Sequence, residues 1–163
     1  MRKRETFLFG CLAVLLVLGA FAVSAEAAFP SNSLVSARDG SEISLSSLQG
    51  TPTILVFFSP LCPHCRTELK ELEKLARWPI GQGIRIVAVT SGGFSQSVLR
   101  AVVSKWELNR VEVCGDPGNA LFKGFRVKQV PFTVFFDAQG NRRDSFLGAA
   151  SAAELEEFLK QQI

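Results

Sequence analysis

Thr53-Ile54-Leu55-Val56-Phe57-Phe58 is an unbroken run of β-favouring residues without a charged side chain. Successive side chains of a strand point to opposite faces, so a strand open to water on one side alternates apolar and polar residues. This run does not alternate and must be covered on both faces. Strands of that kind lie in sheets with helices packed above and below. The chain supplies a helix at once: Leu69, Leu72, Leu75 and Ala76 recur at spacings of three and four, the period of one helical face. That helix should end near Trp78-Pro79. Ile84-Arg85-Ile86-Val87-Ala88-Val89 is a second buried-strand run. Strand, helix and strand in this order make a βαβ unit with parallel strands.

The remaining punctuation extends the pattern. Arg38-Asp39-Gly40 lies between Leu34–Ala37 and Ser41–Leu45, a hairpin signal. Ser46–Gly50 reads as one helical turn. Gly92-Gly93 ends the second strand, and Val98, Leu99, Val102, Val103 and Trp106 mark another helix. Val111–Cys114 is a short strand, Asp116-Pro117-Gly118 a turn, and Ala120, Leu121 and Phe125 a short helix. Phe132–Phe136 and Arg142–Leu147 flank Asp137-Ala138-Gln139-Gly140-Asn141 and form a second hairpin. Ser151-Ala152-Ala153-Glu154 is a capping box that opens a last helix with Leu155, Phe158 and Leu159 inward. The expectation is an α/β domain: a mixed central sheet flanked by helices, with an N-terminal β-hairpin extension. It spans residues 29–163 as one domain, without repeats or a linker.

Residues 1–28 read as a targeting segment. Arg2-Lys3-Arg4 precedes an apolar run from Phe7 to Val23, and small residues close it at Ser24-Ala25-Glu26-Ala27-Ala28. Ala25-Glu26-Ala27 fits a signal-peptide cleavage site. The same run is only slightly short of a membrane span, so an uncleaved N-terminal anchor fits too. Either way the basic end stays in the cytosol and the rest is exported. The expected location is the periplasm, or the outer face of the cytoplasmic membrane. Cys11 precedes most of the apolar run, the wrong side for a lipidation cysteine. A net charge of +3 with scattered basic residues gives no footprint for nucleic acid.

The exported part carries Cys62, Cys65 and Cys114, too few and too odd a number for a disulfide scaffold. Cys62-Pro63-His64-Cys65 lies where a buried strand passes into a helix. Helix N-termini present unpaired N–H groups and the positive end of the dipole, and both stabilise a thiolate. Cys65, one turn on, can reach the same sulfur, so one thiol can form a mixed disulfide that the other resolves. Pro63 suits the first helical turn. A structural disulfide would close a very small loop and gain little. Zinc needs four ligands, and covalent haem needs C-x-x-C-H, where Arg66 stands instead. No metal or other cofactor is expected.

Phe57–Cys65, Ile86–Val89, Val127-Lys128-Gln129-Val130-Pro131-Phe132-Thr133 and Asp137–Gly140 together resemble a thioredoxin-fold protein. The resemblance is nearest to the TlpA/ResA-like extracytoplasmic thiol–disulfide oxidoreductases and covers the chain from about Leu34 onward. It implies Cys62 as the accessible nucleophile, Cys65 as the buried resolving thiol and Pro131 as a cis-proline facing the pair. Val130 would then pair its backbone with an extended substrate. It further implies protein thiol or disulfide substrates, a membrane redox partner and a role such as reduction of apocytochrome in cytochrome c maturation.

Two departures matter. His64 makes the motif resemble that of the oxidase DsbA, and a His there is expected to stabilise the Cys62 thiolate and make the disulfide more oxidising. Thioredoxins proper carry a buried Asp on the strand before the cysteines, whereas Thr53–Phe58 has no acid. Proton handling for Cys65 is then left to water, His64 or an unplaced residue, with Glu68 expected as a solvated helix residue. Cys114 is expected as a buried core thiol. The alternatives to a reductase are a DsbA-like thiol oxidase, a peroxiredoxin-like peroxidase and a copper-binding carrier. Ser59-Pro60-Leu61-Cys62 resembles the peroxiredoxin approach to its nucleophile, but Leu55 stands where that family has Pro, and nothing in its pattern asks for Cys65. The carrier would use Cys62, Cys65 and His64.

Overall fold

The computed structural model describes residues 33–162, and the targeting segment expected at residues 1–28 lies outside them. Seven strands and four α-helices follow one another as β1 (Ser33–Ser36), β2 (Glu42–Ser44), β3 (Thr53–Phe58), α1 (Pro63–Leu75), β4 (Arg85–Ser91), α2 (Gln96–Lys105), β5 (Glu112–Asp116), α3 (Ala120–Gly124), β6 (Phe132–Phe136), β7 (Arg142–Leu147) and α4 (Ala152–Gln162). They form one sheet in the order β2-β1-β5-β4-β3-β6-β7. Strands β3, β4 and β5 are parallel. β1, β2, β6 and β7 pair antiparallel. The sheet is therefore mixed, as the alternation of helices and hairpins predicts. Among the described residues no helix is long and apolar enough to cross a membrane.

The N-terminal hairpin turns through Gly40 at φ +79°, a left-handed conformation that glycine adopts without a Cβ penalty. The Ser36 N–H donates to the Ser41 carbonyl, and the Gly40 N–H to the Ser36 carbonyl. β1 then lies antiparallel to β5 and extends the sheet.

The unbroken strand β3 is central, with all six residues buried. Its side chains alternate between two cores. Ile54, Val56 and Phe58 meet Leu69, Leu72 and Leu75 of α1, Leu99 and Val102 of α2, and Leu155 and Leu159 of α4. Leu55 and Phe57 face Leu34, Leu45, Leu48, Val87, Val89, Leu121, Val134 and Phe136 on the other side. On β6, Phe135 faces the α1 core and Val134 and Phe136 the opposite one. The period of two thus turns Thr133, with Phe135, toward α1.

Helix α1 is tied to the sheet by a carboxylate. Glu73, 4% exposed, accepts hydrogen bonds from the N–H groups of Arg110 (2.7 Å) and Val111 (3.0 Å). Arg77 balances its charge at 3.1 Å. The pair of N–H groups immediately before β5 is thereby satisfied, as buried donors must be.

Candidate active site at the start of helix α1

Strand β3 ends at Phe58 and α1 begins at Pro63, so Cys62 is the residue that caps the helix. Its backbone is extended, at φ −96° and ψ 113°. The Cys62 N–H donates to the Ser59 carbonyl at 3.0 Å, and the Cys62 carbonyl accepts from the Arg66 N–H at 3.2 Å. Cys62 Sγ accepts a hydrogen bond from the Cys65 N–H at 3.1 Å. This is the bond that a Ser or Asp side chain makes at an ordinary N-cap. Here sulfur takes it. On its other side Sγ lies 3.9 Å from the Val130 carbonyl oxygen. The Val130-Pro131 bond is cis, and Pro131 is buried while Val130 is half-buried.

Cys65 is fully buried and Cys62 is half-buried, and both are free thiols. Burial pushes the Cys65 thiol up to about 12, with the hydrogen bond to Cys62 and the negative charges of Cys62 and Glu68 acting in the same direction. One thiol of the pair is thus reachable, while the other is held protonated beneath it.

Glu68 is placed differently from the expectation of a solvated residue. It is 0% exposed. Its Oε1 accepts a 2.6 Å hydrogen bond from Thr133 Oγ1 on β6, and its Oε2 is buried without a partner among the described residues. Burial raises its carboxyl to about 7, against the opposing pull of the Thr133 bond. The cause is positional. Cys65 and Glu68 stand three apart and share a helical face, and Thr133 points to that face of the sheet. The signal in the sequence was the i+3 spacing, read against an amphipathic stripe that assigns Glu to water. Helix α1 thus carries a buried acid three residues after Cys65, while β3 has none.

His64 is exposed and makes no hydrogen bond among the described residues. The hydrogen bond that reaches Cys62 Sγ comes from the Cys65 backbone N–H. Pro63 is exposed at the first helical position. No group of three His, Cys, Asp or Glu side chains among the described residues is placed to hold a metal ion. Cys62, Cys65 and His64 do not converge as the carrier reading requires. Cys114 is fully buried among Leu55, Val87 and Val89, on the sheet face opposite Cys65. Burial raises its thiol to about 12. It is a core residue separated from the pair by the sheet.

Known proteins are similar to this chain in sequence and fold. The thiol-disulfide oxidoreductase ResA of Halalkalibacterium halodurans is 26% identical over 122 residues, covering 75% of this chain and 68% of its own length. The soluble secreted antigen MPT53 of Mycobacterium tuberculosis is 26% identical over 118 residues, covering 72% of this chain and 65% of its own length. The solved structure of M. tuberculosis DsbF, in mixed oxidised and reduced forms, superposes with a TM-score of 0.73 at 25% identity, covering 84% of this chain and 98% of that one. The model of the AhpC/TSA family matches residues 25–145. Fold, cysteine pair and relatives agree: the chain belongs to the AhpC/TSA family and is a thiol–disulfide oxidoreductase of the thioredoxin fold.

Proposed function

We propose that this chain works outside the cytosol as a TlpA/ResA-like reductase of protein disulfides, with Cys62 as nucleophile and Cys65 as resolving thiol. One observation carries the reading. Cys62 Sγ is half-buried at a helix N-cap beside Val130, while Cys65 is fully buried one turn below. The order of attack follows from this asymmetry. The Cys62 thiolate attacks one sulfur of the substrate disulfide, forms the mixed disulfide and expels the other sulfur as a thiolate. Cys65 then loses its proton and attacks Cys62 Sγ. The substrate's second sulfur leaves as a thiol, and the Cys62–Cys65 disulfide remains. Two electrons have passed to the substrate, and a membrane redox partner returns them.

Glu68 is the proton acceptor for the second step. A carboxyl near 7 is partly ionised at neutral pH, as a base for a buried thiol must be. The half-buried Val130 backbone offers an edge for an extended substrate segment, with Pro131 behind it. The apolar N-terminal run places the domain in the periplasm or holds it at the outer face of the membrane, and disulfides of exported proteins, apocytochromes among them, are the substrates.

Trapping tests this directly. Cys65→Ala should accumulate mixed disulfides through Cys62 in cells, and Cys62→Ala/Cys65→Ala should accumulate none. The wild type should reduce insulin. A trap that stays empty, in a protein that leaves insulin disulfides intact, overturns the reading. A peroxidase would instead keep consuming peroxide rapidly as Cys65→Ser.

A further inference from the structure

The loop that carries Val130 and Pro131 has a charge pattern that thiol exchange itself does not require. From Pro117 to Phe136 the chain has no Asp or Glu, yet it carries Lys123, Arg126 and Lys128. All three are exposed. Arg126 and Lys128 form no ion pair among the described residues, and Lys123 Nζ donates only to the Gly118 carbonyl. Arg126 and Lys128 line an apolar groove of about 400 Å³, floored by Phe125, Val127 and Phe132 and walled by Leu147. Leu147 is 59% exposed. The floor is backed by aromatic packing: the Phe125 ring lies 5.2 Å from Phe57 and 6.1 Å from Phe136, and Phe132 stacks 6.0 Å from Phe57.

The groove adjoins the sulfur site along the chain. Lys128 and Gln129 line it, and the next residue is Val130, whose carbonyl lies 3.9 Å from Cys62 Sγ. The N–H groups of Lys128, Gln129 and Val130 donate to no backbone carbonyl among the described residues. They form an unpaired edge beside an apolar trough flanked by cations. On the opposite flank of Cys62, exposed Arg66 and half-buried Lys70, which pairs with Glu107 at 3.5 Å, lie around the 82%-exposed Leu61.

The geometry points to a substrate-selecting subsite: the groove takes an extended segment of the substrate protein that carries an apolar side chain and carboxylates next to its reactive cysteine. The inference rests on the oxidoreductase reading and names the substrate class for that site. The unpaired N–H edge holds the backbone, the Phe125–Phe132–Leu147 trough takes the apolar residue, and Arg126 and Lys128 face its acidic neighbours. Charges at the rim of such a surface act mainly on the rate of productive encounter and are screened by salt.

The test uses the full-length chain, pre-reduced, in single turnovers against two synthetic peptides. Both carry the same Leu and a cysteine as a disulfide with 2-mercaptoethanol, and they differ only in Glu or Lys flanks. Each turnover converts the peptide disulfide to peptide thiol and 2-mercaptoethanol while the protein gains the Cys62–Cys65 disulfide. At about 20 mM salt the Glu peptide should react about tenfold faster, and the ratio should fall toward one at about 0.5 M salt. Arg126→Glu/Lys128→Glu should invert the ratio, which cancels any change in the sulfur chemistry itself. Replacing the peptide Leu by Ser should slow the wild type several-fold and Leu147→Ser much less. A low-salt ratio near one, or a ratio indifferent to the double reversal, overturns the subsite while exchange itself stands. If neither peptide nor the neutral disulfide bis(2-hydroxyethyl) disulfide is reduced, the oxidoreductase reading falls, and the subsite with it.

Discussion

Glu68 and Glu71 sit three residues apart on α1 and meet different worlds. Glu71 pairs with Lys74 at 2.7 Å near the surface. Glu68 lies against the sheet with Thr133 on one oxygen and, among the described residues, no partner on the other. Ionising it there costs hydration that one hydroxyl does not replace, and the carboxyl rises to about 7. Resolution by Cys65 should therefore slow as pH falls through about 7, because Glu68 takes up the proton it must accept. Glu68→Gln should remove that titration and slow resolution on the order of a hundredfold at neutral pH, the usual scale for losing a positioned base. Acid-quenched time courses of the mixed disulfide check this; an unchanged pH profile would show that Cys65 loses its proton elsewhere. Cys62 illustrates the opposite case. Its N-cap position was legible in Pro63 and in the run that precedes it, because capping is local.

At the scale of elements, the fold places each helix by an end as much as by a face. The capping box of α4 forms as the sequence reads it. Ser151 donates its N–H (2.8 Å) and its hydroxyl (2.7 Å) to Glu154 Oε2, and the Glu154 N–H returns to Ser151 Oγ at 3.3 Å. Leu155 and Leu159 then dock in the core shared with α1. Ser151→Ala should cost about 1 kcal/mol, seen as a fall in Tm of about 4 °C, with insulin reduction unchanged below the transition. Loss of activity in step with the cap would mean that α4 positions the cysteine pair. Strand and helix types were legible because period two and period 3.6 are local. The anchoring of α1 to the segment before β5 by Glu73 was not, since its partners Arg110 and Val111 are 37 and 38 residues away.

For the whole molecule, the buried carboxyl makes stability depend on pH with a fixed sign. Glu68 titrates near 4.5 when unperturbed and near 7 when folded. The folded state holds the extra proton between those values, so this group's contribution is complete below about 4.5 and is lost as pH rises through about 7. At about 1.4 kcal/mol per unit the loss is on the order of 3 kcal/mol. The lowered carboxyls Asp39, Asp137 and Glu154 act on the acid side of this window. The raised thiols Cys65 and Cys114 act above about 9. Urea unfolding of the reduced protein should thus give a lower midpoint at pH 8 than at pH 5.5, and Glu68→Gln should flatten the difference. A wild-type midpoint that does not fall over this range would place Glu68 in water.

The sequence by itself determined the mixed α/β sheet, the burial of β3 on both faces, and a cysteine pair at a helix start. Each of these depends on residues within a few positions of one another. Only the tertiary structure decided that Glu68 is dry, that His64 is not, that Val130 abuts Cys62, and that Lys128 and Arg126 border the same site. Periodicity tells which way a side chain points from its own element. What it meets there depends on elements brought up by the sheet, 65 residues away for Thr133 and Glu68 and 68 for Val130 and Cys62.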